Sequence, residues 1–186
     1  MRREQETKSD RLDRIEDNLT IRSETPPDYP QITQVNNLAF GQENEAKLIE
    51  KIRLSDRYIS ELSIVAELDN RIVAHIMFSY INLVALETTQ VLALAPVAVL
   101  PEYQNQGIGS LLVKTGLKIA EEIQIPMVIV LGEPKFYHRF GFKPAVNYGI
   151  QSPFDVPDKY FMVKFLSKNC LGKTGKIIYP DTFKDV

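Results

Sequence analysis

Cysteine occurs once in the 186 residues, as Cys170, so no internal disulfide can form and the fold owes nothing to an oxidising compartment. Set between Asn169 and Leu171, it matches no motif of a nucleophilic cysteine. Histidine occurs only twice, and no group of His, Cys and carboxylates has metal-ligand spacing, so no metal site is expected. An excess of one charge is also lacking: 22 basic and 24 acidic residues give a net charge of −2. That excludes the basic footprint of a nucleic-acid binder, and no polybasic cluster suggests an anionic membrane. No apolar run approaches the roughly 18 residues of a membrane span. The longest, residues 91–100, is of strand length. Residues 1–10 are polar and carry no apolar segment of signal-peptide type. The expectation is a soluble cytoplasmic protein.

What is present suits one globular domain. Hydrophobic residues make up 44% and charged residues 25% of the chain, both ordinary values. Residues 1–18 read as a charged arm, helical or disordered, and residues 19–186 as the domain. A short strand at 20–23 precedes helices near 27–39 and 43–54, with Ile32, Val35, Leu38 and Ala39 on the first stripe and Ala46, Leu48, Ile49 and Ile52 on the second. Strands at 62–68 and 71–80 flank the turn pair Asp69–Asn70, a hairpin signal. An apolar strand at 90–100 ends at Pro101. The helix at 107–124 has Ile108, Leu111, Leu112, Thr115, Ile119, Ala120 and Ile123 on one stripe. A buried strand follows at 127–131, then a short helix at 134–140 stopped by Gly141. Strands at 142–146 and 160–166 and an irregular tail from Gly172 complete the chain. The order implies an α/β (α+β) fold with one mixed, mostly antiparallel sheet flanked by helices on both faces and strand–helix–strand crossovers in its second half.

The chemistry is concentrated in residues 96–110, PVAVLPEYQNQGIGS. A strand ends, a short loop carries Gln104, Asn105, Gln106, Gly107, Ile108 and Gly109, and a helix begins at once with Ser110 in its first turn. Such a terminus offers free N–H groups and about half a positive charge to a phosphate. Gly107 and Gly109 let a ligand approach the backbone. A Walker loop is absent, and the dinucleotide fingerprint lacks its first glycine.

Gln104-x-x-Gly107-x-Gly109, after a strand ending Val-x-Pro, resembles the acyl-CoA-binding motif of GNAT acetyltransferases. Lys135-Phe136-Tyr137-His138-Arg139-Phe140-Gly141-Phe142 resembles that family's later Phe-Tyr-x-x-x-Gly-Phe element. The resemblance covers about residues 20–166, with residues 69–79 similar to the family's second and third strands. It is nearest to bacterial N-acetyltransferases of unassigned substrate. It implies a sheet splayed between strands four and five, and acetyl-CoA as cosubstrate with no metal. It also implies direct attack of an amine on the thioester through a tetrahedral intermediate.

By that resemblance the CoA pyrophosphate rests on the amides of residues 104–110, and the pantetheine arm pairs with Val97, Ala98 and Val99. Pro96 supports the splay independently, because a proline inside an apolar run donates no ladder hydrogen bond. A backbone N–H near Val97 stabilises the oxyanion. Tyr137 matches the family's tyrosine acid. Thiol and phenol pKa values of about 8.5 and 10 make proton transfer to the leaving thiolate feasible without driving it strongly. The bland alternative is an aromatic cluster under the sheet. For the base, Glu133 leads, ahead of Glu87, His75 and His138; His75, alternating with Val73 and Met77, reads better as a structural histidine. Lys114 and Lys118 either reach the 3′-phosphate or form a solvated face.

Two positions depart from the family pattern. Asn105–Gln106 replace the usual Gly-Lys, removing one positive charge, and Leu131–Gly132 replace an asparagine late in strand five. Three functions compete: an N-acetyltransferase for a small-molecule or peptide amine, an acyl-CoA-binding sensor without strong catalysis, and a nucleotide-binding module. The acceptor is expected against residues 27–54 and the loop 147–159, where Asp155 and Asp158 either attract a cation or solvate a turn. Family analogy alone allows a homodimer.

Overall fold

Why the chain folds as one sheet becomes clear from its first hairpins. In the computed structural model, which describes residues 18–167, 170 and 172–184, β1 (Leu19–Ser23) leads through a 3₁₀ turn at Pro26–Asp28 into helices α1 (Tyr29–Phe40) and α2 (Asn44–Arg53). The charged arm lies outside the described residues except for its last position. Strands β2 (Ser63–Leu68), β3 (Arg71–Val84) and β4 (Thr88–Val99) form an antiparallel meander. Asp69 and Asn70 take φ of 49° and 63°, the left-handed pair that a two-residue hairpin demands.

Helix α3 (Ile108–Glu122) then crosses to β5 (Met127–Leu131), which lies parallel to β4. Helix α4 (Pro134–Tyr137) runs into a 3₁₀ turn at His138–Phe140. It is followed by β6 (Lys143–Pro144), β7 (Ile150–Gln151), β8 (Phe161–Phe165) and β9 (Gly175–Ile178). The nine-stranded sheet has the order β1-β2-β3-β4-β5-β8-β6, and β9 pairs with β3 and β7. The expected mixed, mostly antiparallel architecture is therefore present.

Helices lie on both faces. Gly116 of α3 meets Phe78, and Asn36 of α1 meets His75, which points to the opposite face of β3. Away from α1 and α2, that second face is covered by Ala145, Ile150, Val156, Cys170 and Phe183, packed with Ile81, Leu83, Ala93 and Ile129. The tail is not irregular as expected: β9 takes the edge of β3 that β2 vacates beyond Met77. The strand expected at 142–146 shrinks to Lys143–Pro144 and turns into 3₁₀ geometry, consistent with a proline that cannot extend the ladder.

The stripe of α3 is also rotated from expectation. Val113, Gly116 and Leu117 are buried with Ile108, Leu112 and Ala120, whereas Leu111 and Ile123 are each 42% exposed. Gly116 explains the rotation, because its hydrogen faces the Phe78 ring. A Cβ there would lie 2.2 Å from Phe78 Cε2. Gly116→Ala is expected to destabilise the protein by about 1–3 kcal/mol through overpacking, read as a lowered melting temperature. On α1, Leu38 is likewise exposed while Asn36 is buried.

Asn36 belongs to a polar core between the helices and the sheet. Glu24 accepts from both Arg53 Nε (2.9 Å) and Nη2 (2.6 Å) and from the Tyr58 hydroxyl (2.9 Å). His75 Nε2 lies 3.4 Å from Glu24 and 3.0 Å from Ser63 Oγ. His75 is fully buried and lines neither cavity described below, so it is the structural histidine expected.

Candidate functional site

The site begins where β4 loses its neighbour. Pairing between β4 and β5 covers only Leu92–Leu94 against Val128–Val130. Beyond it, Met77 of β3 faces Ala95 and Pro96 together, a bulge that leaves Ile76 opposite Val97. The proline thus marks the splay. Leu100 N–H donates to Val73 O (2.9 Å). Alternation along the strand then turns the N–H and C=O groups of Val97 and Val99 away from β3, toward the open gap. Ala98 is different: its backbone faces β3 and its side chain is buried.

The loop after β4 is built around left-handed residues. Asn105 has φ 60° and Gly107 φ 88°, and Gly107 caps α3. No atom lies within 4 Å of a Cβ built on Gly107, so the conformation, rather than crowding by the protein, requires glycine there. Gln104 Nε2 donates to Val99 O (3.0 Å) and Gln106 Nε2 to Glu102 O (2.9 Å), tying the loop to the strand end. Among the described residues, no carbonyl accepts from the N–H groups of residues 105–110. A row of free amides at a helix N-terminus fits a pyrophosphate.

These amides face a cavity of about 540 Å³ lined by Val97, Val99, Gln104, Asn105, Gly107, Ile108, Gly109 and Ser110. Ala98 and Gln106 do not line it. Arg139 does, and the sequence reading had missed it. Its guanidinium sits 5.1 Å from the Phe136 ring, which places a cation beside the loop of residues 104–109. The available signal was its spacing three residues after Phe136, one helical turn away. Lys114 and Lys118 are exposed and line neither cavity, and Lys118 lies 3.8 Å from Glu122.

A second cavity of about 470 Å³ shares Phe40, Val97 and Phe136 with the first. Tyr137 and Glu133 both line it. Tyr137 is 6% exposed, and its hydroxyl has no hydrogen-bond partner among the described residues. Burial pushes its phenol above the ordinary value, so it carries its proton at neutral pH. The ring is held edge-on to Phe136 (4.9 Å) and Phe142 (5.7 Å), and it rests on Gly132, where a Cβ would lie 2.4 Å from Tyr137 Cε2. The missing asparagine thus has a local reason: only glycine leaves room for the ring in this position.

Glu133 caps α4, accepting weakly from Lys135 N–H (3.4 Å), and is exposed to the cavity mouth. Glu87, in the β3–β4 turn, and His138 are exposed and line neither cavity. Asp155 is exposed, and Asp158 lines a third cavity that shares Phe154 with the second. Cys170 is buried. Among the described residues no His/Cys/carboxylate group is arranged for a metal, and no helix is long and apolar enough to cross a membrane.

Comparison with known proteins places this geometry in context. The family model described as "Acetyltransferase (GNAT) family" matches residues 23–142. The uncharacterized N-acetyltransferase YjhQ of Escherichia coli is 31% identical over 159 residues, spanning 83% of this chain and 88% of its own. The crystal structure of YhbS, a GNAT family N-acetyltransferase from Escherichia coli, in complex with CoA superposes with a TM-score of 0.83 at 31% identity, covering 89% of this chain and 92% of that one. A GNAT family acetyltransferase from Brucella melitensis in complex with acetyl-CoA gives 0.74 at 29% identity, covering 89% and 98%.

Proposed function

This chain belongs to the acetyltransferase (GNAT) family, and from that premise we propose that it transfers the acetyl group of acetyl-CoA directly to an amine through a tetrahedral intermediate. The observation that carries this reading is the meeting of two cavities at Val97 and Phe136, with free amides in one and the unpartnered Tyr137 hydroxyl in the other. The amides of residues 105–110 and Arg139 hold the phosphates. Val97 and Val99 present strand-like partners to the pantetheine amides, and the Val97 N–H faces the developing oxyanion.

The acceptor enters as an ammonium and loses one proton to Glu133, directly or by way of solvent. Its nitrogen lone pair forms the C–N bond and the C–S bond breaks. Tyr137 gives its proton to the departing sulfur and regains one from the acylated nitrogen. Two protons leave nitrogen and one reaches sulfur, so one is released to solvent. Burial makes the phenol a weaker acid, and a thiolate departing into the same cavity would be raised in the same direction, which limits the cost of the transfer.

Thermal unfolding with acetyl-CoA, CoA, NAD and ATP added separately tests the assignment. Acetyl-CoA and CoA at about 100 times their dissociation constants are expected to add roughly 2.7 kcal/mol of stability, with no shift from NAD or ATP. Release of free thiol with an amine panel then follows. No shift with either CoA species at millimolar concentration would remove the cradle from this role.

A further inference from the structure

We infer that the acceptor is an arylalkylamine, a primary amine on an aromatic body, bound by rings in the cavity beside Tyr137; the inference rests on the acetyl-transfer reading above. Phe40, Phe136, Tyr137, Phe154, Tyr179 and Phe183 line this cavity. They arrive from the end of α1, from α4, from the loop before β8 and from the tail after β9. The rings form linked sets. Phe154 and Tyr179 lie 5.1 Å apart, Tyr179 and Phe183 4.8 Å, and Phe136 and Tyr137 4.9 Å. Rings packed edge-to-face or tilted leave faces and edges on which another ring stacks favourably.

Charge on the described lining is of one sign. Glu45 and Glu133 contribute carboxylates, and among the described residues no Lys, Arg or His lines the cavity. The neighbouring cavity is the reverse, with Arg139 and, among the described residues, no carboxylate on its lining. A ligand on the acceptor side is therefore drawn in as a cation and refused as an anion. Polar groups are few besides, so a peptide main chain would leave its amides without partners, and a second ammonium on a polyamine would lie desolvated among rings. One amine on an apolar body satisfies every wall. A volume of about 470 Å³ suits a small molecule rather than a macromolecule.

Half of these rings come from outside the family match, which ends at residue 142. The tail that supplies Tyr179 and Phe183 is held in place. β9 pairs with residues 82–84 of β3 and 150–151 of β7, and Lys51 Nζ donates to Lys184 O (2.9 Å). Phe154, Tyr179 and Phe183 are thus specificity residues contributed by this chain's own C-terminal region.

The test measures acetyl-CoA-dependent thiol release with 2-phenylethylamine, spermidine, free lysine and a peptide with a free N-terminal phenylalanine. The expected result is a kcat/KM for 2-phenylethylamine at least tenfold above each of the others. Phe183→Ala and Phe154→Ala are expected to raise KM for 2-phenylethylamine at least tenfold while KM for acetyl-CoA stays within twofold. Spermidine, lysine or the peptide equalling 2-phenylethylamine overturns the arylalkylamine assignment and leaves acetyl transfer standing. Unchanged KM in both variants overturns the role of the tail. CoA binding with no amine accepted overturns both this inference and the reading on which it rests. The panel needs only the unaltered protein, so a variant that fails to fold does not remove the test.

Discussion

Tyr137→Phe is expected to lower kcat about 10²–10⁴-fold while leaving the melting shift produced by CoA unchanged. The substitution removes one oxygen and keeps the ring, so the contacts to Phe136 and Phe142 and the seat on Gly132 persist. The lost oxygen is the one with no partner among the described residues, and burial keeps it protonated. The hydroxyl borders the open cavity and gives the fold no hydrogen bond to lose. Removing it is therefore expected to leave the melting temperature unchanged or slightly raised, the opposite of a structural hydroxyl. Gly132→Ala is a companion with a different signature. It pushes the ring aside without removing the hydroxyl, so kcat is expected to fall while the acetyl-CoA KM holds. Turnover of Tyr137→Phe within threefold of the parent would make the ring a wall and assign the proton to water. A protein that binds CoA but turns over no amine even unaltered would be a sensor.

Arg53→Met is expected to destabilise the fold by about 3–5 kcal/mol, because it strands the buried Glu24 carboxylate without its cation. For a chain of this length that corresponds to a fall of roughly 6–20 °C in melting temperature. Burial alone would raise the Glu24 carboxyl, but the hydrogen bonds from Arg53 and His75 outweigh it and hold the group below the usual carboxylate range. His75 is depressed by its complete burial, against the pull of Glu24, so it is neutral at neutral pH. Both folded-state values lie below their unfolded ones. Both contributions are therefore complete at neutral pH and lost on acidification, His75 below about pH 6.5 and Glu24 below about pH 4.5. In Arg53→Met the sign for Glu24 reverses: the unpaired carboxyl rises, and protonation relieves it. The gap in melting temperature between parent and variant is expected to narrow from pH 7.5 to pH 4.5. A constant gap would mean that Arg53 acts through its packing on Tyr29, whose ring centre lies 3.8 Å from the guanidinium. The double variant Glu24→Gln/Arg53→Met should recover part of the loss.

The sequence alone determined the local features whose cause is local. The Asp69–Asn70 hairpin, the glycine-started α3 and the Pro96 bulge were all legible because turn chemistry, a free helix terminus and a missing N–H are properties of a few adjacent residues. The glycine-bearing loop before α3 and the Phe136–Tyr137 helix were legible for the same reason, reinforced by two motifs at family spacing. Only the tertiary structure decided which groups meet. Arg139 lines one cavity with the loop before α3, and the Tyr137 ring rests on Gly132, only because α4 folds back across the splay between β4 and β5. The stripe of α3 was misread because Phe78, distant in sequence, needs the space at Gly116. Above all, the tail appeared irregular because its strand is short and its partner is the far end of β3. A strand whose hydrogen bonds go to distant residues leaves little periodic trace in its own sequence, yet here it anchors the tail whose Tyr179 and Phe183 line the second cavity.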